Sequence, residues 1–245
     1  MSAWAKEPDP TARFRVLCLP YAGGGSAEFR QWQPRVPAGV QIVPLALPGR
    51  EHRLSESAFT SMDPLISALA SALPPWLDRP WALVGFSMGS WVGLALIAEL
   101  QRRGLSLPSH FFACARRAPN QPDRLPPLHP LPEDAFLAAL QARYSAIPAQ
   151  LLASRELLDL FLPTLRADFR LLETWVPASP VALPVPISAW YGEADRTLFR
   201  HELEAWAAYT THPLAVRSFP GGHFFLRDAR DEMLGAILET LGIKP

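Results

Sequence analysis

Residues 81–98 read WALVGFSMGSWVGLALIA, a run with no charge and with Gly85-Phe86-Ser87-Met88-Gly89 near its middle. A stretch this apolar belongs either in a membrane or deep in a core. It only grazes the length of about 18 residues that a spanning helix needs. Three glycines and two serines interrupt it, which fits a buried strand, a tight turn and a helix better than a span. A strand apolar without alternation must be covered on both faces. That requirement restricts the chain to a parallel sheet with helices on either side.

The remaining apolar runs obey the same grammar. Strands are expected at 14–20, 40–48, 81–87, 110–116, 185–192 and 214–222, with helical patterns at 26–33, 61–73, 88–103, 198–209 and 229–241. Strands alternating with helices predict an α/β fold. At 245 residues and 49% hydrophobic content, one α/β domain spanning 1–245 is expected. Prolines number 27, where ordinary usage of about 5% gives roughly 12. They gather in APNQPDRLPPLHPLP (118–132) and PASPVALPVP (177–186). Between these clusters lies only helical patterning. Phe136, Leu137 and Leu140 form one stripe, and Leu157, Leu158, Phe161, Leu162 and Leu165 another. A helical lid inserted at about 120–178 is the expectation.

Lys and Arg together number 23, as do Asp and Glu. This balance offers no basic face for nucleic acid and no basic tail for an anionic membrane. The N-terminal stretch lacks the h-region of a signal peptide. Cys18 and Cys114 each sit inside an apolar run, which fits a reduced, cytoplasmic setting. If their strands flank the one ending at Ser87, the two lie two strand spacings apart, about 9–10 Å, too far for a disulfide. No coiled-coil or repeat signal is present, so a monomer is expected.

Chemistry concentrates at the expected carboxyl edge of the sheet. A G-x-S-x-G turn between strand and helix forces the serine backbone into a strained conformation and exposes its Oγ. Ser87 is therefore the candidate nucleophile, with the next helix N-terminus favouring developing negative charge. His223, in FPGGHFFL (219–226) after the last strand, is the candidate base; His212 precedes that strand and lies at the wrong edge. Asp195, in AWYGEADR (189–196), is the favoured orienting carboxylate. Glu193 and Asp123 are the alternatives. Oxyanion donors are expected from the backbone N–H of Met88 and from the Ala22 amide in the glycine loop PYAGGGS (20–26). That loop has no G-K-[ST] for a phosphate and no GxGxxG for a dinucleotide, and no metal-ligand spacing is visible. The indicated chemistry is cofactor-free acyl transfer to water.

These residues, in this order, resemble the type II thioesterases that accompany nonribosomal peptide and polyketide synthases. LPYAGGG, LPGREHR (47–53), GFSMGS, CARRAP (114–119), ELLDLFLPTLRADFRLLETW (156–175), YGEADR (191–196) and GGHFF (221–225) carry the likeness across about 14–241. The resemblance implies an α/β-hydrolase fold with a helical lid. It also implies hydrolysis of aberrant or stalled acyl groups from the phosphopantetheine arm of acyl or peptidyl carrier proteins. The substrate then brings the phosphopantetheine and the enzyme needs no cofactor of its own. Ser87, Asp195 and His223 match the family's triad. Three departures stand out. Phe86 stands where histidine is usual, Cys114-Ala115 replaces Ser-Gly, and Tyr144-Ser145-Ala146-Ile147-Pro148 lacks a glycine pair. Acidic carriers make Arg116, Arg117, Arg124 and Arg143 docking candidates. A general acyl-CoA thioesterase or carboxylesterase, or a non-catalytic carrier-binding scaffold, are the competing readings.

Overall fold

A computed structural model of the chain describes residues 3–144, 154–177 and 180–244. Six strands form one sheet: β1 (Phe14–Leu19), β2 (Val40–Pro44), β3 (Trp81–Phe86), β4 (Phe111–Cys114), β5 (Ile187–Gly192) and β6 (Ala215–Phe219). Their spatial order is β2-β1-β3-β4-β5-β6, and every neighbouring pair is parallel. The chain thus fills the sheet one way from β1 to β2, then returns past β1 to build the other half. Loops leaving the carboxyl ends of β1 and β3 diverge there and open a crevice. The register sets Leu19 opposite Gly85, so the glycine loop and Ser87 start side by side.

Helices cover both faces: α1 (Ala27–Arg30), α2 (Met62–Ala72), α3 (Met88–Arg102), α4 (Glu133–Tyr144), α5 (Arg155–Thr174), α6 (Arg200–Glu204), α7 (Phe225–Asp228) and α8 (Arg230–Thr240). Successive strand side chains point to opposite faces. Trp81 and Leu83 therefore join the core packed with α2 and α3. Ala82, Val84 and Phe86 join the opposite core with residues of α8. Both layers are apolar and buried, which explains strands apolar on both faces. None of the described helices is long and apolar enough to cross a membrane.

Some expectations need correction. The second strand stops at Pro44 instead of running to 48. The helix expected at 198–209 divides into α6 and a 3-10 turn over Ala205–Tyr209. The segment expected as an insertion holds α4 and α5, and Ser145–Pro148 lie outside the described residues. On α5 the buried stripe is Leu158, Leu162, Leu165, Phe169 and Leu172, advancing by alternate fours and threes along one face. Leu157, one residue off that stripe, is 46% exposed. Cys18 and Cys114 are free and buried, on strands β1 and β4 that flank β3.

One half-buried histidine bears on stability. Nε2 of His110 lies 2.8 Å from the Ser188 hydroxyl, and its ring packs on Phe112. Burial, with a smaller contribution from His212, lowers its pKa to about 4, against roughly 6.5 in an unfolded chain. The neutral form is the one the fold accepts. Its contribution is complete above the unfolded pKa and is lost as pH falls toward 4. His110→Gln is expected to flatten the decline in unfolding free energy between about pH 6.5 and 4, read from urea midpoints at each pH. An unchanged slope would rule this out.

Candidate active site

The elbow after β3 is built from close contacts. Ser87 adopts φ +52°, ψ −108°, a sparsely populated conformation for a residue with a side chain, at a cost of about 1–3 kcal/mol. A Cβ on Gly85 would strike the Gly89 carbonyl, and one on Gly89 would strike the Leu19 carbonyl of β1. Both glycines are therefore demanded by approach distance. Ser87 N–H donates to the Cys114 carbonyl at 2.7 Å. The Ser90 hydroxyl donates to the carbonyls of Gly85 and Cys114, 2.8 Å each. The strained turn is thereby clamped between β3 and β4.

The loops after β5 and β6 meet this turn. His223 Nε2 lies 3.0 Å from Ser87 Oγ, and its Nδ1 lies 2.7 Å from Asp195 Oδ2. All three residues are under 9% exposed. Burial pushes the Asp195 carboxyl upward. The His223 hydrogen bond and charge, with the Thr197 hydroxyl and amide, outweigh that and hold it below the usual carboxylate range. An ionised carboxylate only accepts. Nδ1 must then carry the proton, and Nε2 is left to accept from Ser87 O–H. Thr197 donates to Asp195 Oδ1 from N and Oγ1, at 2.9 and 2.7 Å, and fixes the carboxylate plane.

The alternatives are placed elsewhere. Glu193 is exposed and accepts from Ser218. Asp123 pairs with Arg117. His212 is exposed, beyond the bridge at Thr210. Phe86, beside the nucleophile, is wholly buried. It meets Phe225 at 5.1 Å and the His223 ring edge-on at 6.3 Å, so it forms part of an apolar wall supporting the imidazole. Ala115 takes φ +56°, a left-handed position that glycine adopts more readily than alanine.

The amides of Met88 and Ala22 have no protein acceptor among the described residues. Ala22, Ser87 and His223 line one cavity of about 50 Å³ together with Leu140, Tyr144 and Phe161. Tyr144, at the end of α4, packs on the His223 ring at 4.8 Å.

A buried ion pair absent from the sequence reading holds the glycine loop. Arg50 donates to both oxygens of Asp168, at 2.7 and 2.8 Å. Asp168 Oδ2 also accepts from Gly23 N–H at 2.7 Å, and Arg50 donates to the Gly24 carbonyl at 3.0 Å. α5 is thereby tied to the loop carrying Ala22. Removing one partner strands the other charge in a dry site. Asp168→Asn is expected to lower the unfolding free energy by about 3–5 kcal/mol, measured by urea denaturation. A loss under about 1 kcal/mol, the value of a surface pair, would contradict this.

Comparison with known proteins shows the family. The thioesterase-domain family model matches residues 14–242. The chain belongs to the thioesterase family. It is 31% identical to the gramicidin S biosynthesis protein GrsT of Aneurinibacillus migulanus, over 94% of this chain and 90% of that one. Among solved structures it is similar to RedJ, the thioesterase from the prodiginine pathway of Streptomyces coelicolor. That match has TM-score 0.83 and 36% identity, covering 97% of this chain and 89% of that one. It is also similar to BorB, the type II thioesterase of the borrelidin cluster, with TM-score 0.86, 29% identity and 97% of each chain covered. The six-stranded parallel sheet with flanking helices is the α/β-hydrolase arrangement of this thioesterase family, and the chain is a hydrolase of thioesters.

Proposed function

We propose that this thioesterase removes aberrant or stalled acyl groups from the phosphopantetheine arm of acyl or peptidyl carrier proteins in a natural-product synthase. The chain Asp195–His223–Ser87, whose serine and histidine line a small cavity together with Ala22, carries the reading. Ser87 Oγ attacks the thioester carbon while its proton passes to His223 Nε2. The tetrahedral oxyanion is met by the amides of Met88 and Ala22. Collapse breaks the C–S bond, and His223 returns the proton to the departing sulfur. Water, deprotonated by the same histidine, then releases the acid and restores Ser87. Asp195 stabilises the imidazolium in both halves. The protein residues supply every proton transfer, so the reading requires no cofactor beyond the arm that the substrate brings.

A cavity of about 50 Å³ has room for a few water molecules, which suits a short acyl group better than a finished peptide or polyketide. The test compares hydrolysis of acetyl-carrier protein, acetyl-CoA and a p-nitrophenyl ester. The carrier-bound thioester is expected to give the highest kcat/KM. A strong preference for the simple ester would move the chain to the carboxylesterases, and one for acetyl-CoA to the general acyl-CoA thioesterases.

A further inference from the structure

A second cavity, of about 240 Å³, adjoins the first. The two share Arg116, Tyr144, Phe169, Leu172 and His223 in their walls, but Ser87 and Ala22 line only the first. The second is lined by five arginines, Arg116, Arg117, Arg124, Arg143 and Arg196, against the carboxylates Asp123 and Glu173. All four arginines expected at a carrier-docking surface are among them, but only Arg124 is an exposed charge, with Arg116 and Arg143 half-buried. Arg117 is buried, and the Arg116 guanidinium lies over the Trp91 ring at 4.0 Å.

Both carboxylates are already engaged. Asp123 pairs with Arg117. Glu173 pairs with His129 and accepts from the amides of Leu128 and His129. Arg124 pairs with Glu202. Among the described residues Arg116, Arg143 and Arg196 have no carboxylate partner, and Arg116 Nε is buried without an acceptor. Among the described residues Arg143 makes one bond, to the Pro126 carbonyl. Arg196 is exposed at the mouth. The cavity therefore runs from His223 outward to rim cations with no carboxylate partner among the described residues, where an anion gains paired, charge-assisted hydrogen bonds.

Which part of a thioester enters here follows from proton transfer. His223 must reach the departing sulfur, so the thiol side of the substrate lies against the histidine and the acyl side beside Ser87 and the oxyanion amides. We propose that the second cavity is an anion site, in which Arg143 and Arg196 hold the phosphate at the far end of the substrate's arm while the acyl group occupies the apolar cavity. This rests on the carrier-arm reading above. The phosphate is separated from the sulfur by the pantoyl unit and two amide links, so the rim, not Arg116 beside the site, is where it arrives.

The test uses the full chain and carrier-free probes. Calorimetry compares binding of 4′-phosphopantetheine with pantetheine, to wild type and to the double variant R143A/R196A. Wild type is expected to bind the phosphorylated form about tenfold tighter or more, the scale of one charge-assisted hydrogen bond. The advantage should shrink with added salt and fall within about twofold in the double variant. Equal binding of the two probes by wild type, or an advantage that survives in R143A/R196A, overturns the site. Because binding is read without turnover, a chain that hydrolyses no thioester fails the thioesterase reading and leaves this result intact. Kinetics on acetyl-phosphopantetheine against acetyl-pantetheine should place the effect in KM and not in kcat. Succinyl- against butyryl-pantetheine distinguishes the other source of negative charge. A succinyl preference lost in R143A/R196A would assign the arginines to an acyl carboxylate and overturn the phosphate assignment.

Discussion

Ser87→Ala is expected to lower kcat for thioester hydrolysis by about five to six orders of magnitude while the protein stays folded. The size follows from the covalent route. Without Oγ there is no acyl-enzyme, and the water that must replace it is neither bonded to the base nor held at the elbow. Residual catalysis of about 10³–10⁴ over water should persist, because the amides of Met88 and Ala22 and the apolar cavity remain. Stability should change by no more than about 1 kcal/mol. The variant loses one hydrogen bond to His223 and keeps the left-handed backbone that the Cys114 carbonyl clamps. Steady-state kinetics together with near-ultraviolet circular dichroism check both halves. Retained turnover in a correctly folded variant would remove Ser87 from the mechanism, and lost signal at 280 nm would show that the elbow was structural.

The elbow was legible because local rules and global rules agree there. Apolar runs on either side dictate strand and helix, and contacts of Gly85 and Gly89 with neighbouring backbone leave no space for a side chain. Asp195 and His223 were legible for a topological reason, since parallel strands deliver their following loops to one edge. Thr197 was within reach, because a threonine two residues after an aspartate commonly returns hydrogen bonds to it. Arg50 and Asp168 were not. They are 118 positions apart, and nothing in sequence distinguishes a charge that will be buried from one on a solvated helix face. The same blindness turned Arg116 and Arg117 into expected surface charges. Burial of an arginine is decided by what covers it, here Trp91 and the segment around α4 and α5.

Asp195→Asn is the second large effect, expected to reduce kcat by about ten-thousandfold with little change in KM. The substitution is nearly isosteric, so the geometry around Thr197 and His223 should survive. Its chemistry inverts. A carboxylate accepts from Nδ1–H and leaves Nε2 free to take the Ser87 proton, at 2.7 and 3.0 Å in the native site. An amide NH₂ facing Nδ1 donates instead and stabilises the tautomer protonated on Nε2. That imidazole cannot accept from Ser87, and the imidazolium of the transition state loses its counter-charge in a site under 9% exposed. The measurement is kcat and KM for one acyl-carrier substrate with wild type, Asp195→Asn and Glu193→Gln. The last reports on a carboxylate on the same loop that touches Ser218 and not the histidine, and it should retain activity within about twofold. If Glu193→Gln proved the damaging change, the loop would deliver a different carboxylate in the working enzyme, and the orientation of His223 would have to be assigned anew.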